Sequence, residues 1–83
     1  MFEGRDNGNG FHITFENGWT VSVQWDRGNY CERSGPWNAQ PAPNKPSKNA
    51  EVACWKGERK SEDCRGWQTP AEVLAYINEV AAR

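Results

Sequence analysis

Between Phe11 and Asp26 the chain alternates apolar and polar side chains in two blocks. Phe11, Ile13 and Phe15 are separated by His12 and Thr14; after Asn17-Gly18, Trp19, Val21, Val23 and Trp25 alternate with Thr20, Ser22, Gln24 and Asp26. A period of two predicts two half-buried strands joined as a hairpin. A slip of one residue would send one apolar set to the opposite face, so the pattern also selects the turn. A two-residue Asn17-Gly18 loop pairs Phe15 with Thr20 and fails. A three-residue loop, Glu16-Asn17-Gly18, pairs Phe15 with Trp19, Ile13 with Val21 and Phe11 with Val23, which predicts Gly18 in the left-handed region. The other face, with His12, Thr14, Glu16, Thr20, Ser22, Gln24 and Asp26, is polar throughout, as suits an antiparallel sheet covered on one side.

A third strand is predicted over about Ala50 to Trp55, where Val52 and Cys54 alternate with Glu51 and Ala53, and a short fourth around Cys64 to Gln68. The cover comes from the C-terminus. Thr69-Pro70-Ala71-Glu72 has the form of a helix start, with Thr at the N-cap, proline at the first helical position and Glu at the third. Val73, Ile77 and Val80, with Leu74 and Ala81 beside them, form the expected apolar stripe. The predicted fold is therefore α+β: an antiparallel sheet of three to four strands, hairpin first, with one C-terminal helix packed on the face of Phe11, Ile13, Phe15, Trp19, Val21, Val23 and Trp25. Residues 1–9 read as a flexible arm, and 27–49, with Pro36, Pro41, Pro43 and Pro46, as a long Pro-rich loop within a single domain spanning 1–83.

At 83 residues the chain has one core and buries only about 60% or slightly more of its unfolded surface. Aliphatic side chains are scarce: Leu74, Ile13, Ile77 and five valines. Ordering costs about 1.5 kcal/mol per residue, which so few aliphatics cannot offset, so most of the aromatics must be structural. Trp19 and Trp25 belong to the apolar face, while Trp55 and Trp67 have ambiguous phase. Trp37, in the Pro-rich loop, is either a lid folded over the core or an exposed anchor.

Ten basic and eleven acidic side chains, mixed along the chain, give a net charge of −1. That balance argues against a basic nucleic-acid binder and against an acidic DNA mimic. No apolar run approaches the roughly 20 residues that span a bilayer, and the N-terminus lacks signal-peptide zones, so the expectation is a cytoplasmic protein without membrane contact. The three cysteines, Cys31, Cys54 and Cys64, read as reduced thiols, with a Cys54–Cys64 bridge as the competitor in an oxidising compartment. His12 is the lone histidine and falls on the polar face. A zinc site from His12, Cys31, Cys54 and Cys64 has the right ligand count but lacks close ligand pairs. No positioned acid, base or nucleophile stands out, so the expectation is a non-enzyme without cofactor.

The segments Asn17-Gly18-Trp19-Thr20-Val21-Ser22-Val23-Gln24-Trp25, Gly28-Asn29-Tyr30-Cys31, Ala50-Glu51-Val52-Ala53-Cys54-Trp55 and Gly66-Trp67-Gln68-Thr69-Pro70-Ala71-Glu72-Val73-Leu74 resemble a family of small uncharacterised proteins encoded by bacteriophages and prophages. The resemblance spans roughly two thirds of the chain, with residues around Arg33 to Lys48 as an enlarged loop. It implies a phage origin and action in the host cytoplasm, and it brings no catalytic residue. Together these readings predict a non-catalytic interaction protein that binds and inhibits a host defence or regulatory complex through the polar sheet face and the 27–49 loop. Trp37, Tyr30, Arg27, Arg33 and Asn38 are the candidate binding residues. The alternatives are an aromatic platform for ligands or nucleic-acid bases, with Arg27, Arg33, Lys45 and Lys48 as its basic neighbours, and a small zinc-binding protein.

Overall fold

The structure, a computed structural model, describes residues 1–4, 8–35 and 45–83. Five strands, β1 (Phe2–Gly4), β2 (Gly10–Thr14), β3 (Trp19–Gln24), β4 (Ala50–Lys56) and β5 (Glu62–Gln68), form one open sheet in the order of the chain, each antiparallel to the next. One helix, α1 (Pro70–Ala81), packs on one face. The predicted α+β architecture is correct, with one more strand than the pattern supplied.

The first hairpin has the register that side-chain parity demands. Phe11 pairs with Val23 and Ile13 with Val21. The Phe15 N–H donates to the Trp19 carbonyl (2.8 Å), the Gly18 N–H to the Phe15 carbonyl (3.0 Å), and Gly18 sits at φ 88°. That is a three-residue loop closed by a left-handed glycine. Asn17 does more than turn the chain: its Nδ2 donates to the carbonyls of Val80 and Ala81 at 3.0 and 3.2 Å, tying the turn to the last turn of α1, where the Val80 carbonyl also accepts from the Arg83 N–H.

The extra strand lies in the segment expected to be a loose arm. Phe2 pairs with Ile13 and Gly4 with Phe11, and the Met1 amino group donates to the Thr14 carbonyl at 2.7 Å. Asn9 is 4% exposed and anchors the end of the arm: its backbone N–H and Nδ2 both donate to Asp26 Oδ1. Three residues carry no readable alternation, and antiparallel pairing with β2 is what places them at the sheet edge.

Helix α1 begins as predicted. Thr69 Oγ1 accepts from the Glu72 N–H and Glu72 Oε1 from the Thr69 N–H, with Pro70 in the first turn. Its buried face is rotated from the expected one. Tyr76 and Val80 are fully buried, Val73 and Ile77 flank them, and Leu74 is 59% exposed. From Val73 the helical steps of three, four and seven land on Tyr76, Ile77 and Val80. Tyr76 takes the place given to Leu74 because its hydroxyl reaches the Asp63 carbonyl at 2.9 Å. Burial pushes that hydroxyl above its ordinary pKa, so it remains a neutral donor.

The helix also lies further along the sheet than expected, over β3, β4 and β5. The core is Val21, Val23, Ala50, Val52, Cys54, Tyr76 and Val80, with Phe11, Phe15, Trp19 and Trp25 at its margin; Ile13 is only half-buried. Beyond the helix, Met1 and Phe2 are exposed.

What draws α1 toward β5 is the irregularity of that strand. Ala50 pairs with Gln68, Val52 with Arg65 and Cys54 with Glu62, so twice two residues of β4 are matched by three of β5. Asp63 and Trp67, at φ 51° and 49°, are left-handed residues in these two bulges. The first bulge presents the carbonyl that Tyr76 caps. Around it, Arg65 grips Asp63 through both carboxylate oxygens (3.1 and 2.9 Å), reaches Glu79 on the helix at 3.3 Å, and lies over the Tyr76 ring. Arg83 covers the Trp19 ring and approaches Glu62 and Asp63.

Two predictions follow from the helix and its clasp. Tyr76→Ala should lower unfolding stability in urea by about 3 kcal/mol or more, or abolish folding, whereas Leu74→Ala should shift it by less than about 0.5 kcal/mol; the reverse order would restore the Leu74 face to the core. Asp63 is held below its ordinary value of 3.8 chiefly by the Arg65 hydrogen bonds, and Glu72 below 4.5 by the backbone of Thr69. A carboxyl whose folded pKa is depressed stabilises the fold above its unfolded value and loses that contribution as pH falls through the folded one. Thermal midpoints should therefore fall once the pH drops below about 4.5, and Asp63→Asn with Glu72→Gln should flatten the decline.

Candidate functional site

The connection from β3 to β4 begins with a tight, polar-wired loop, residues 25–35, whose order comes from side-chain hydrogen bonds rather than from regular structure. Asn29 Oδ1 accepts from the Asp26 N–H (2.9 Å), and its Nδ2 donates to Glu51 Oε1 (3.2 Å). Glu51 Oε2 accepts from the Tyr30 N–H at 2.9 Å. The Glu32 N–H donates to Asn49 Oδ1, and Glu32 Oε2 in return accepts from the Lys48 N–H. Cys31 is 2% exposed, with its thiol directed at the Asp26 carbonyl. Trp25 Nε1 donates to the Lys45 carbonyl, and the Lys45 N–H to Asn9 Oδ1, so the returning segment is fixed at the same hub. Asparagine suits such a hub because one side chain donates and accepts at once.

This loop docks on the second bulge of β5. The Trp67 N–H donates to the Tyr30 carbonyl at 2.8 Å. A Cβ at Gly66 would stand 2.7 Å from the Tyr30 Cβ, so only glycine admits the loop this closely. The rings of Tyr30 and Trp67 lie side by side, centroids 5.5 Å apart and planes tilted by 33°, in offset-stacking range. Both remain open to solvent, Tyr30 at 64% and Trp67 at 55%. Two large aromatic rings are thus exposed together on a backbone held from below.

Of the candidate residues, the structure places Tyr30 at the centre of this site and Arg27 and Arg33 on the same loop; Trp37 and Asn38 lie outside the described residues. Trp67, whose phase was ambiguous, is the member that sequence reasoning missed, and Glu51 and Asn29 are its unrecognised supports. Only the adjacency of Gly66 and Trp67 hinted at a close backbone approach. The residues weighed for zinc are not brought together. His12 stands edge-on to Trp55 on the face away from α1, centroids 5.1 Å apart. Cys54 lies in the core, its thiol toward the Glu62 carbonyl, while Cys64 is exposed. All three cysteines are free, so the Cys54–Cys64 bridge is absent. Among the described residues no group of three or more His, Cys, Asp or Glu side chains could hold a metal ion, and no helix is long and apolar enough to cross a membrane.

The polar sheet face also departs from its expectation. Trp55 opposes Thr20 there, and Thr20 and Ser22 are only 8% and 5% exposed, so this face carries its own aromatic cover instead of an open polar surface. Comparison of the chain with protein-family models, curated proteins and solved structures finds no match.

The wiring of the loop generates a direct test. Glu51→Ala removes the acceptor shared by Tyr30 and Asn29, and exchange of the Tyr30 amide proton should accelerate about tenfold, the equivalent of about 1.4 kcal/mol of local opening. The amides of Val21 and Val52 should exchange at their original rates. Unchanged protection at Tyr30 would show that Glu51 does not hold the loop.

Proposed function

We propose that this chain is a non-catalytic interaction module that docks on a protein partner through the Tyr30–Trp67 pair and the loop that carries it. The observation behind the reading is the joint exposure of two aromatics whose backbones are already fixed. Tryptophan and tyrosine are the residue types most enriched among interface hot spots. Rings presented on an ordered backbone lose little further freedom on association, which is where binding otherwise forfeits affinity. The bulge that aims Trp67 outward holds a bulky residue at positive φ, a conformation that costs on the order of 1–3 kcal/mol and is found preferentially where a side chain must be placed for a purpose.

The resemblance to small phage and prophage proteins extends the reading: the partner would be a host defence or regulatory protein, bound and inhibited in the host cytoplasm. A second reading rests on the same pair. Stacked exposed aromatics also receive nucleic-acid bases, but here each ring has one face turned to the other, and the Tyr30 N–H is held by the carboxylate of Glu51 on β4.

The test is affinity capture from host lysate by the wild type and by Tyr30→Ala/Trp67→Ala, followed by affinity measurement with the purified partner. Removing two hot-spot aromatics should weaken binding at least about thirtyfold, about 2 kcal/mol, with the fold intact by circular dichroism. Equal recovery by both proteins would remove the pair from the interface. Tight binding of a single-stranded oligonucleotide, lost in the double variant, would favour the second reading.

A further inference from the structure

On the same loop, an open pocket of about 400 Å³ is lined by Arg27, Glu32, Arg33, Ser34, Gly35 and Pro46. Its charges are unbalanced. Glu32 is the one acid in the lining, and its Oε2 is already taken by the Lys48 N–H at 2.8 Å. Among the described residues neither Arg27 nor Arg33 takes part in a salt bridge, although Arg65 and Arg83 make two each. Among the described residues the Nε of Arg33 is also buried without a hydrogen-bond partner. A buried donor left unmade is unfavourable, and a guanidinium has no means of losing its charge to relieve it.

We infer that this pocket binds a carboxylate, received by the guanidinium groups of Arg33 and Arg27. Two arginines against one glutamate leave a single positive charge, which a monoanion balances. The carboxylate is also the group whose two oxygens match the side of a guanidinium, Nε with one Nη, in a bidentate pair. Arg33 lines the pocket, and its Nε is the buried donor that such a pair would satisfy. The backbone beneath is fixed: the Gly35 N–H donates to the Arg27 carbonyl at 3.0 Å and the Ser34 N–H to the Cys31 carbonyl at 2.9 Å, so the two ends of the arginine loop are held together before any ligand arrives. This deepens the interaction reading and rests on it for the source of the ligand, since an acidic side chain of a partner docked on Tyr30 and Trp67 would be offered to the same loop.

The test uses the whole chain, 15N-labelled, and follows the arginine Nε–H signals while sodium acetate is added against sodium chloride of equal ionic strength. The Arg33 signal should move to saturation in the millimolar range with acetate and stay in place with chloride. Arg27→Gln, a change at an exposed residue, should weaken that titration about tenfold. N-acetylglutamate N-methylamide binding more tightly than succinate assigns the carboxylate to a protein side chain, and the converse assigns it to a small organic acid; either keeps the pocket. A shift that never saturates, an equal response to chloride, or inorganic phosphate binding tenfold more tightly than acetate would overturn the assignment. Tyr30→Ala/Trp67→Ala should leave the acetate titration unchanged. Acetate binding that survives in a protein without partner capture upholds the pocket when the interface reading fails, and partner capture without acetate binding does the opposite.

Discussion

The edge strand β5 must give up two residues to stay paired with β4, and most of what distinguishes this small fold follows from where those residues go. A regular edge would have turned every carbonyl toward β4 or solvent. The first bulge instead turns the Asp63 carbonyl to the Tyr76 hydroxyl, which lets the largest side chain on α1 enter the core with its polar end satisfied. The second carries Trp67 and a backbone donor to the β3–β4 loop. Helix placement and loop placement are thus set by one strand, a few residues apart.

A chain with so few aliphatic side chains compensates with polar wiring. Asn17 ties the first turn to the end of α1, Asn9 Oδ1 joins the N-terminal arm to Lys45, and Glu51 and Asn49 hold the loop that follows β3. Each is a side chain bonding to backbone groups at a helix end, a strand end or a tight loop. Such bonds are individually modest, about 1 kcal/mol net, but they are directional. They fix the geometry of segments that the hydrophobic effect cannot orient.

This explains which parts of the molecule were legible in the sequence. The β2–β3 register, Gly18, strand β4 and the capping box at Thr69 rest on short-range rules, alternation and capping chemistry, and these can be read residue by residue. The face of α1 was half-legible: the helical steps from Val73 include Tyr76, yet choosing it over Leu74 requires knowing that an acceptor waits at Asp63. Strand β1 has too few side chains to show a period. The Tyr30–Trp67 pair was illegible because its two members are 37 positions apart and meet only through a bulge, a glycine and a long-range backbone bond. Tyr30 was recognised by its loop, Trp67 only by its place in the fold.

Bulges are also a common means of blunting an exposed sheet edge against pairing with other chains, and a protective role would account for an irregular β5 without any partner. The two bulges differ in a way that protection does not explain. Asp63 occupies its left-handed position at small cost, since aspartate is among the residues that tolerate that region. Trp67 occupies the left-handed position of the other bulge at a real one, although glycine, asparagine or aspartate there would bend the strand equally well. Shielding the edge requires only the bend, whereas placing an indole against Tyr30 in solvent requires that side chain at that position. The excess strain therefore belongs to the aromatic pair and not to the edge, and it is the reason the proposed interface is centred on Tyr30 and Trp67.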